Sequence, residues 1–277
     1  MPRAFLASAV AGFSLIAAGC SSGPQPPQPG SPAFYWAAAR STYAAGDFLK
    51  TSDNLSQLGT SADFGARSQP WFIVVQAGLA KGYMDLAENF DYGAHANRAN
   101  PTPFIRQEHQ LQSLANSSTM ALAETLHKFL AAPPTDNILL EFPFPTGSAA
   151  EPVQLQRVAK GMIVPDADIE SLQQAMVQRG VLLTVTDVVG ASGDPAKALE
   201  IFKAPEVKVA RATYLTATAR ALSNLAELYG PRKLDQPDRL NVVCDEATAA
   251  LKGVPESKDT KDLLAKIAKL KKPGKKT

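Results

Sequence analysis

Glu124-Thr125-Leu126-His127 sets a carboxylate and an imidazole three residues apart, on one face if the segment is helical. In helix bundles two such pairs on facing helices feed a carboxylate-bridged metal site. This chain has the one pair and no second to face it. His95 and His109 fall in the same third of the sequence. Asp91 precedes His95 by four residues, with Gly93 between them. The simplest expectation is surface histidines and no metal site. Asp85, Glu88 and Asp91 line one side of a helix, with Lys81 four residues before Asp85. That pattern reads as a solvated, ion-paired face. His-Glu-x-x-His, Cys-x-x-Cys, Gly-x-Ser-x-Gly and Gly-rich phosphate-loop patterns do not occur. The residue types therefore predict a protein that is not an enzyme and carries no cofactor or metal.

Two cysteines remain as reactive groups, and their surroundings differ. Cys244 follows Asn241-Val242-Val243 in an apolar stretch, which predicts a buried, inert thiol. Cys20 follows Leu15-Ile16-Ala17-Ala18-Gly19. Before these, Arg3 supplies a positive charge and residues 4–18 form an Ala-rich apolar run too short to span a bilayer. The stretch resembles the bacterial lipobox, in which small residues precede a lipidated cysteine. Ala17 stands where Leu is usual. The resemblance implies a signal peptide over 1–19, cleaved before Cys20, and acylation of Cys20. The mature chain is then held to a membrane by lipid. Ser21 follows Cys20 where inner-membrane retention resembles a rule requiring Asp. That implies the outer membrane, facing the periplasm, or the cell membrane in a host with only one. With Cys20 acylated, Cys244 has no partner in the chain, so no disulfide framework is expected.

The elements that would position these groups are helices. Hydrophobic residues make up 45% and charged residues 19% of the chain, a globular balance. The apolar weight lies in Ala and Leu, and aromatics are only 7%, which favours packed helices over a β-sandwich. A formal net charge of +2 argues against a dedicated nucleic-acid binder. Residues 20–32 form the modified cysteine and a Pro-rich tether. Residues 33–272 form an all-helical domain of about ten helices, and 273–277 a basic tail.

The spacing predicts helices from Ser31-Pro32 to Gly46, from Asp47 to about Leu58, and from Gln69-Pro70-Trp71 to about Tyr92, stopped by Gly93. Another starts at Thr102-Pro103 and ends before Pro133-Pro134, with Leu111, Leu114, Leu122, Leu126 and Phe129 at helical spacing. Further helices are expected from Pro152, Asp166, Asp194-Pro195, about Val207 to Tyr229, Pro237 and Asp259. Residues 138–145 are apolar but broken by Pro143 and Pro145. They read as a loop pressed onto the helices by Phe142 and Phe144, either a plain crossover or a binding lip. No strand is expected. The last helix places Leu263, Leu264, Ile267 and Leu270 on one side among lysines, as a docked terminal helix or a contact with an anionic surface.

Gly46-Asp47-Phe48-Leu49 and Gly193-Asp194-Pro195-Ala196 both end one helix with Gly and cap the next with Asp. The second continues to Ala198 and Phe202, a small residue and an aromatic four apart. This resembles the turn and second helix of a tetratricopeptide repeat, though no 34-residue period is clean. The resemblance implies antiparallel helical hairpins stacked as a degenerate α-solenoid. The chain is also similar to helical lipoproteins associated with periplasmic solute-uptake systems. Two functions follow as expectations. One is a membrane-anchored scaffold with a groove for a protein or peptide partner. The other is a small-molecule carrier or transport accessory with a cavity between its long helices.

Overall fold

Ser31 begins the folded part. Its side-chain oxygen accepts from the Phe34 N–H at 3.2 Å and caps α1 (Pro32–Ala44), with Pro32 in the first turn. The computed structural model describes residues 26–271. The lipidation motif at Cys20 and the basic tail at 273–277 lie outside the described residues. α2 (Phe48–Ser56) follows at once, then two long helices, α3 (Gly65–Ala96) and α4 (Thr102–Ala131). A strand, β1 (Asn137–Leu140), and a short helix, α5 (Val153–Ala159), lead to α6 (Asp166–Val188) and α7 (Pro195–Ile201). A second strand, β2 (Val207–Ala210), runs into α8 (Arg211–Leu225), which tightens into a 3-10 turn over Ala226–Tyr229. α9 (Pro237–Lys252) and α10 (Lys258–Leu270) close the order. The protein is all-α: helix takes 69% and strand 3%, with ten helices among the described residues.

The two look-alike junctions share the Gly-Asp cap but not the helix end. Gly46 follows the C-cap of α1, whereas α6 ends at Val188 and the chain turns at Gly190, so Gly193 does not end that helix. Gly46 and Gly193 sit at φ 74° and 78°, where a side chain is strained. Asp47 then accepts from the Lys50 N–H, and Asp194 from the N–H groups of Ala196 and Lys197. Across each junction the flanking helices pack on one another, α1 on α2 and α6 on α7.

α3 is the hub. It packs against α2, α4, α5, α6 and α8, and its interior runs from Trp71 through Val75, Leu79 and Tyr83 to Phe90. Gly78 and Gly82 meet Val181 and Met176 on α6, so the two helices run antiparallel at very close range. α8 is fixed to the start of α3 by Tyr214, whose buried hydroxyl donates to the Pro70 carbonyl at 2.8 Å.

Three further boundaries differ from the sequence reading, each for a packing reason. α3 does not stop at Gly93. A Cβ there would stand 2.5 Å from Phe104 and from the Val158 carbonyl, so this glycine admits α4 and α5 rather than ending α3. The helix also begins earlier, at Gly65, with Pro70 inside it. The third difference is a strand pair where none was expected. Asn137–Leu140 pairs antiparallel with Val207–Ala210, Ile138 opposite Val209 and Leu140 opposite Val207. Both prolines of the 138–145 stretch lie beyond the paired residues, so they do not interrupt the ladder. The rest of that stretch is a crossover held by its own aromatics. Phe142 is buried and stacks on Trp71 at 4.6 Å, and Phe144 packs against Phe202.

Candidate functional site

The sequence-selected polar groups do not converge. Glu124 pairs with Lys128 at 2.6 Å, while His127 turns to Glu246 on α9 at 2.9 Å. His95 does reach Asp91, at 3.2 Å, because α3 continues through Gly93. His109 is exposed on α4. The Asp85–Glu88–Asp91 stripe divides. Asp85 faces α6, 2.9 Å from Lys81 and 3.5 Å from Arg179. Glu88 and Asp91 look instead toward Glu108 on α4 and toward Arg232 and Lys233. Burial, then the Asp91 charge, pushes the Glu108 carboxyl up from its usual range. Among the described residues no three His, Cys, Asp or Glu side chains gather to hold a metal ion. Cys244 is buried, and burial pushes its thiol up from its ordinary value.

A different set of residues does converge. Where α3 and α6 cross, glycines bring the backbones together, and α8 packs against both helices along the seam between them. α8 covers it with small side chains, Ala217 and Ala221, and so leaves a cavity of about 80 Å³. Ile73, Val74 and Ala77 of α3 and Val188 of α6 supply the rest of its apolar floor. Thr184 and Thr218 also line it. Each donates its hydroxyl proton to its own helix, to the carbonyls of Gly180 and Tyr214 at 2.9 Å, and so turns oxygen lone pairs to the cavity.

Charged groups of both signs stand at the mouth: Lys81 from α3, Asp187 from α6 and Arg220 from α8. Lys81 is engaged by Asp85 at 2.9 Å and Arg220 by Asp259 at 2.6 Å. Asp187 is left without an ion pair among the described residues. It is partly buried, and this desolvation pushes its carboxyl up, against the opposing pull of Arg220, Lys81 and the Gly193 backbone N–H. It also lies in the last turn of α6, the end of a helix that disfavours negative charge. A desolvated, unpaired carboxylate at the wrong end of a helix breaks three local rules at once. Such violations concentrate where function requires them.

No family model matches this chain, and neither curated proteins nor solved structures yielded a match. The geometry therefore carries the functional reading. Asp187 and Arg220 were not singled out in the sequence. The signal was there: Asp187 is the one charge inside the apolar run from Val181 to Val189. Its meaning depends on α3 and α8, which lie far from it along the chain.

Two wider depressions flank this cavity or lie apart from it. One shares Asp187, Ala217 and Arg220 and extends toward Ser192, Ser257 and Asp259. The other is an open groove of about 580 Å³ between the end of α4, the start of α8 and the end of α9, lined by Leu130, Arg211 and Ala249 among others. Among the described residues no helix is long and apolar enough to cross a membrane.

Proposed function

We propose that this is a lipid-anchored envelope protein whose helical domain binds a small amphiphilic molecule between α3, α6 and α8, as a carrier or transport accessory. The observation that carries the reading is the cavity itself: an apolar floor between the long helices, with the unpaired Asp187 carboxylate at its mouth. Anchoring through Cys20 is part of the proposal and rests on the lipobox resemblance. The exposed residues 26–30, which precede the Ser31 cap without helix, suit a tether. The tetratricopeptide-like character of the helix pairs belongs to the same proposal, supported by the positive-φ glycine and Asp cap that Gly46-Asp47 and Gly193-Asp194 share.

A thermal-shift screen of small amphiphiles tests the reading. A ligand that binds only the folded form stabilises it by about 2.7 kcal/mol at a hundred times its Kd. Ala221→Leu fills the cavity from α8 and should abolish the shift while the variant stays folded. If no compound stabilises the wild type more than Ala221→Leu, the reading fails.

The open groove favours a second reading, a scaffold for a protein or peptide partner, because it presents apolar and charged walls along three elements. Affinity capture from detergent-solubilised envelope tests it. A partner retained by the wild type and lost on Ala249→Arg would support it, and recovery of the same proteins on both baits would sink it.

A further inference from the structure

The charges at the cavity mouth select among ligand classes. A bare ammonium would gain Asp187 but would also sit beside Lys81 and Arg220, which repel it. A bare carboxylate would gain those two cations but would meet the Asp187 charge. A ligand bearing both charges escapes both penalties.

The two cations are free to be recruited. Lys81–Asp85 is a pair within one helix, with the lysine side chain 39% exposed, and Arg220–Asp259 is also open to solvent. Pairs of this kind contribute little stability, so exchanging their carboxylates for a ligand's costs little. Asp187 has no ion pair to give up among the described residues, and one backbone N–H, that of Gly193, reaches its carboxylate. It therefore stands as the fixed acceptor, with Lys81 and Arg220 as adaptable donors. The floor sets the size of the ligand's body. A cavity of about 80 Å³ suits a short aliphatic group as that body.

We infer that the cavity recognises a zwitterionic amino acid with a short aliphatic side chain, its ammonium held by Asp187, its carboxylate by Arg220 and Lys81, and its side chain on the floor formed by Val74, Ala77 and Ala221. The inference rests on the small-molecule reading above and names its ligand class. The Thr184 and Thr218 oxygens, whose protons are already donated, suit the remaining ammonium hydrogens.

Calorimetric titration of the full chain with three matched probes tests it. L-valine carries both charges, isobutylamine lacks the carboxylate, and isovalerate lacks the ammonium. Valine should bind, and each truncated probe should bind at least roughly tenfold more weakly, because a site built for a polar group is left unpaired without it. Asp187→Asn should weaken valine by a similar factor and leave isovalerate no weaker. Arg220→Gln should weaken valine and spare isobutylamine. The probe series on the wild-type protein decides the matter even if a variant fails to fold. Equal binding of valine and isovalerate, or of valine and isobutylamine, overturns the inference. If valine and its analogues fail while some other compound binds and is lost on Ala221→Leu, the ligand class is wrong and the small-molecule reading stands. If no compound is sensitive to Ala221→Leu, the small-molecule reading falls as well.

Discussion

Gly78 and Gly180 face each other where α3 crosses α6: a Cβ built on Gly180 would stand 2.2 Å from the Gly78 carbonyl oxygen. No side chain fits there without moving a helix. The crossing also sets how closely α3 and α6 approach beside the cavity that both line. Gly180→Ala should therefore destabilise the fold. Overpacking of this kind costs about 1–3 kcal/mol and sometimes more, against a gain of about 1 kcal/mol from replacing a helical glycine. Gly253→Ala, where nothing lies within 4 Å, is the control and should leave the urea midpoint nearly unchanged. A Gly180→Ala midpoint equal to that of the control would contradict the crossing.

Phe142 anchors the crossover between β1 and α5. It stacks on Trp71 at 4.6 Å and lies 5.1 and 5.2 Å from Tyr43 and Trp36. Its neighbour Glu141 takes two hydrogen bonds from Arg67, whose guanidinium lies 4.9 Å over the Trp36 ring. Phe142→Ala should cost about 3–5 kcal/mol, as expected for a buried phenylalanine. The chain has two tryptophans and both touch Phe142, so selectively excited tryptophan fluorescence reports this cluster. The variant should shift the emission and lower the unfolding midpoint. Removal with neither effect would mean the segment is a loose lip rather than part of the core.

Most of the helices were legible because their signals are local. Ser31-Pro32, Gly46-Asp47 and Gly193-Asp194 each carry cap and turn chemistry within a few residues. The strand pair was not legible, because Asn137–Leu140 and Val207–Ala210 find each other across some 70 residues and each is only four long. Val207-Lys208-Val209 has the alternation of a strand, but it runs directly into the Ala-rich helix and reads as its first turn. Gly93 misled for a similar reason. A glycine near a helix end looks like a stop until Phe104 and Val158 are seen pressing against it. Asp187 and Arg220 belong to one site only because α6 and α8 meet over α3. The histidines and the acidic stripe, which draw attention by type, do not gather: His95–Asp91 and Lys81–Asp85 pair within α3, His127 reaches Glu246 on α9, and His109 is exposed.

Cys244 offers a simple reactivity test. It is buried on α9 next to Val243, and burial raises its thiol above the ordinary value, so little thiolate forms at neutral pH. A thiol reagent such as Ellman's should react slowly with the folded protein and at once in urea. The folded-state rate should follow the population of the opened form and rise steeply as urea is added. Rapid stoichiometric labelling of the folded protein would show the thiol to be accessible.

The proposed anchor at Cys20 predicts behaviour that differs from that of a peripheral protein. Each buried methylene contributes about 0.8 kcal/mol, one acyl chain holds only marginally, and several hold durably. The processed protein should stay with membranes through high-salt washing, leave only with detergent and sediment with outer-membrane markers. Cys20→Ser should release it. Release of the wild type by salt alone, or failure of a fatty-acid label to mark it, would refute lipid anchoring.

Asp187 ties stability to pH in a direction opposite to that of an ion-paired carboxylate. The charged groups facing it are Lys81 on α3 and Arg220 on α8, and burial outweighs both to raise its folded value. Below the ordinary carboxylate range Asp187 is protonated in both states and adds nothing. As pH rises past that range, the unfolded chain releases the proton first. The folded state then holds more protons than the unfolded, and stability falls until the raised folded value is passed. Asp187→Asn removes this loss. Its unfolding midpoint should match the wild type in acid and exceed it at neutral pH. Glu108 is raised in the same sense, but it is present in both proteins and cancels in the difference. Bound zwitterion should act against the effect, since an ammonium beside Asp187 favours the ionised form. Valine affinity should therefore weaken on acidification through the same window in the wild type and lose that dependence in Asp187→Asn. An unfolding difference that is flat with pH would show that the Asp187 carboxyl has the same proton affinity in the folded and unfolded chains.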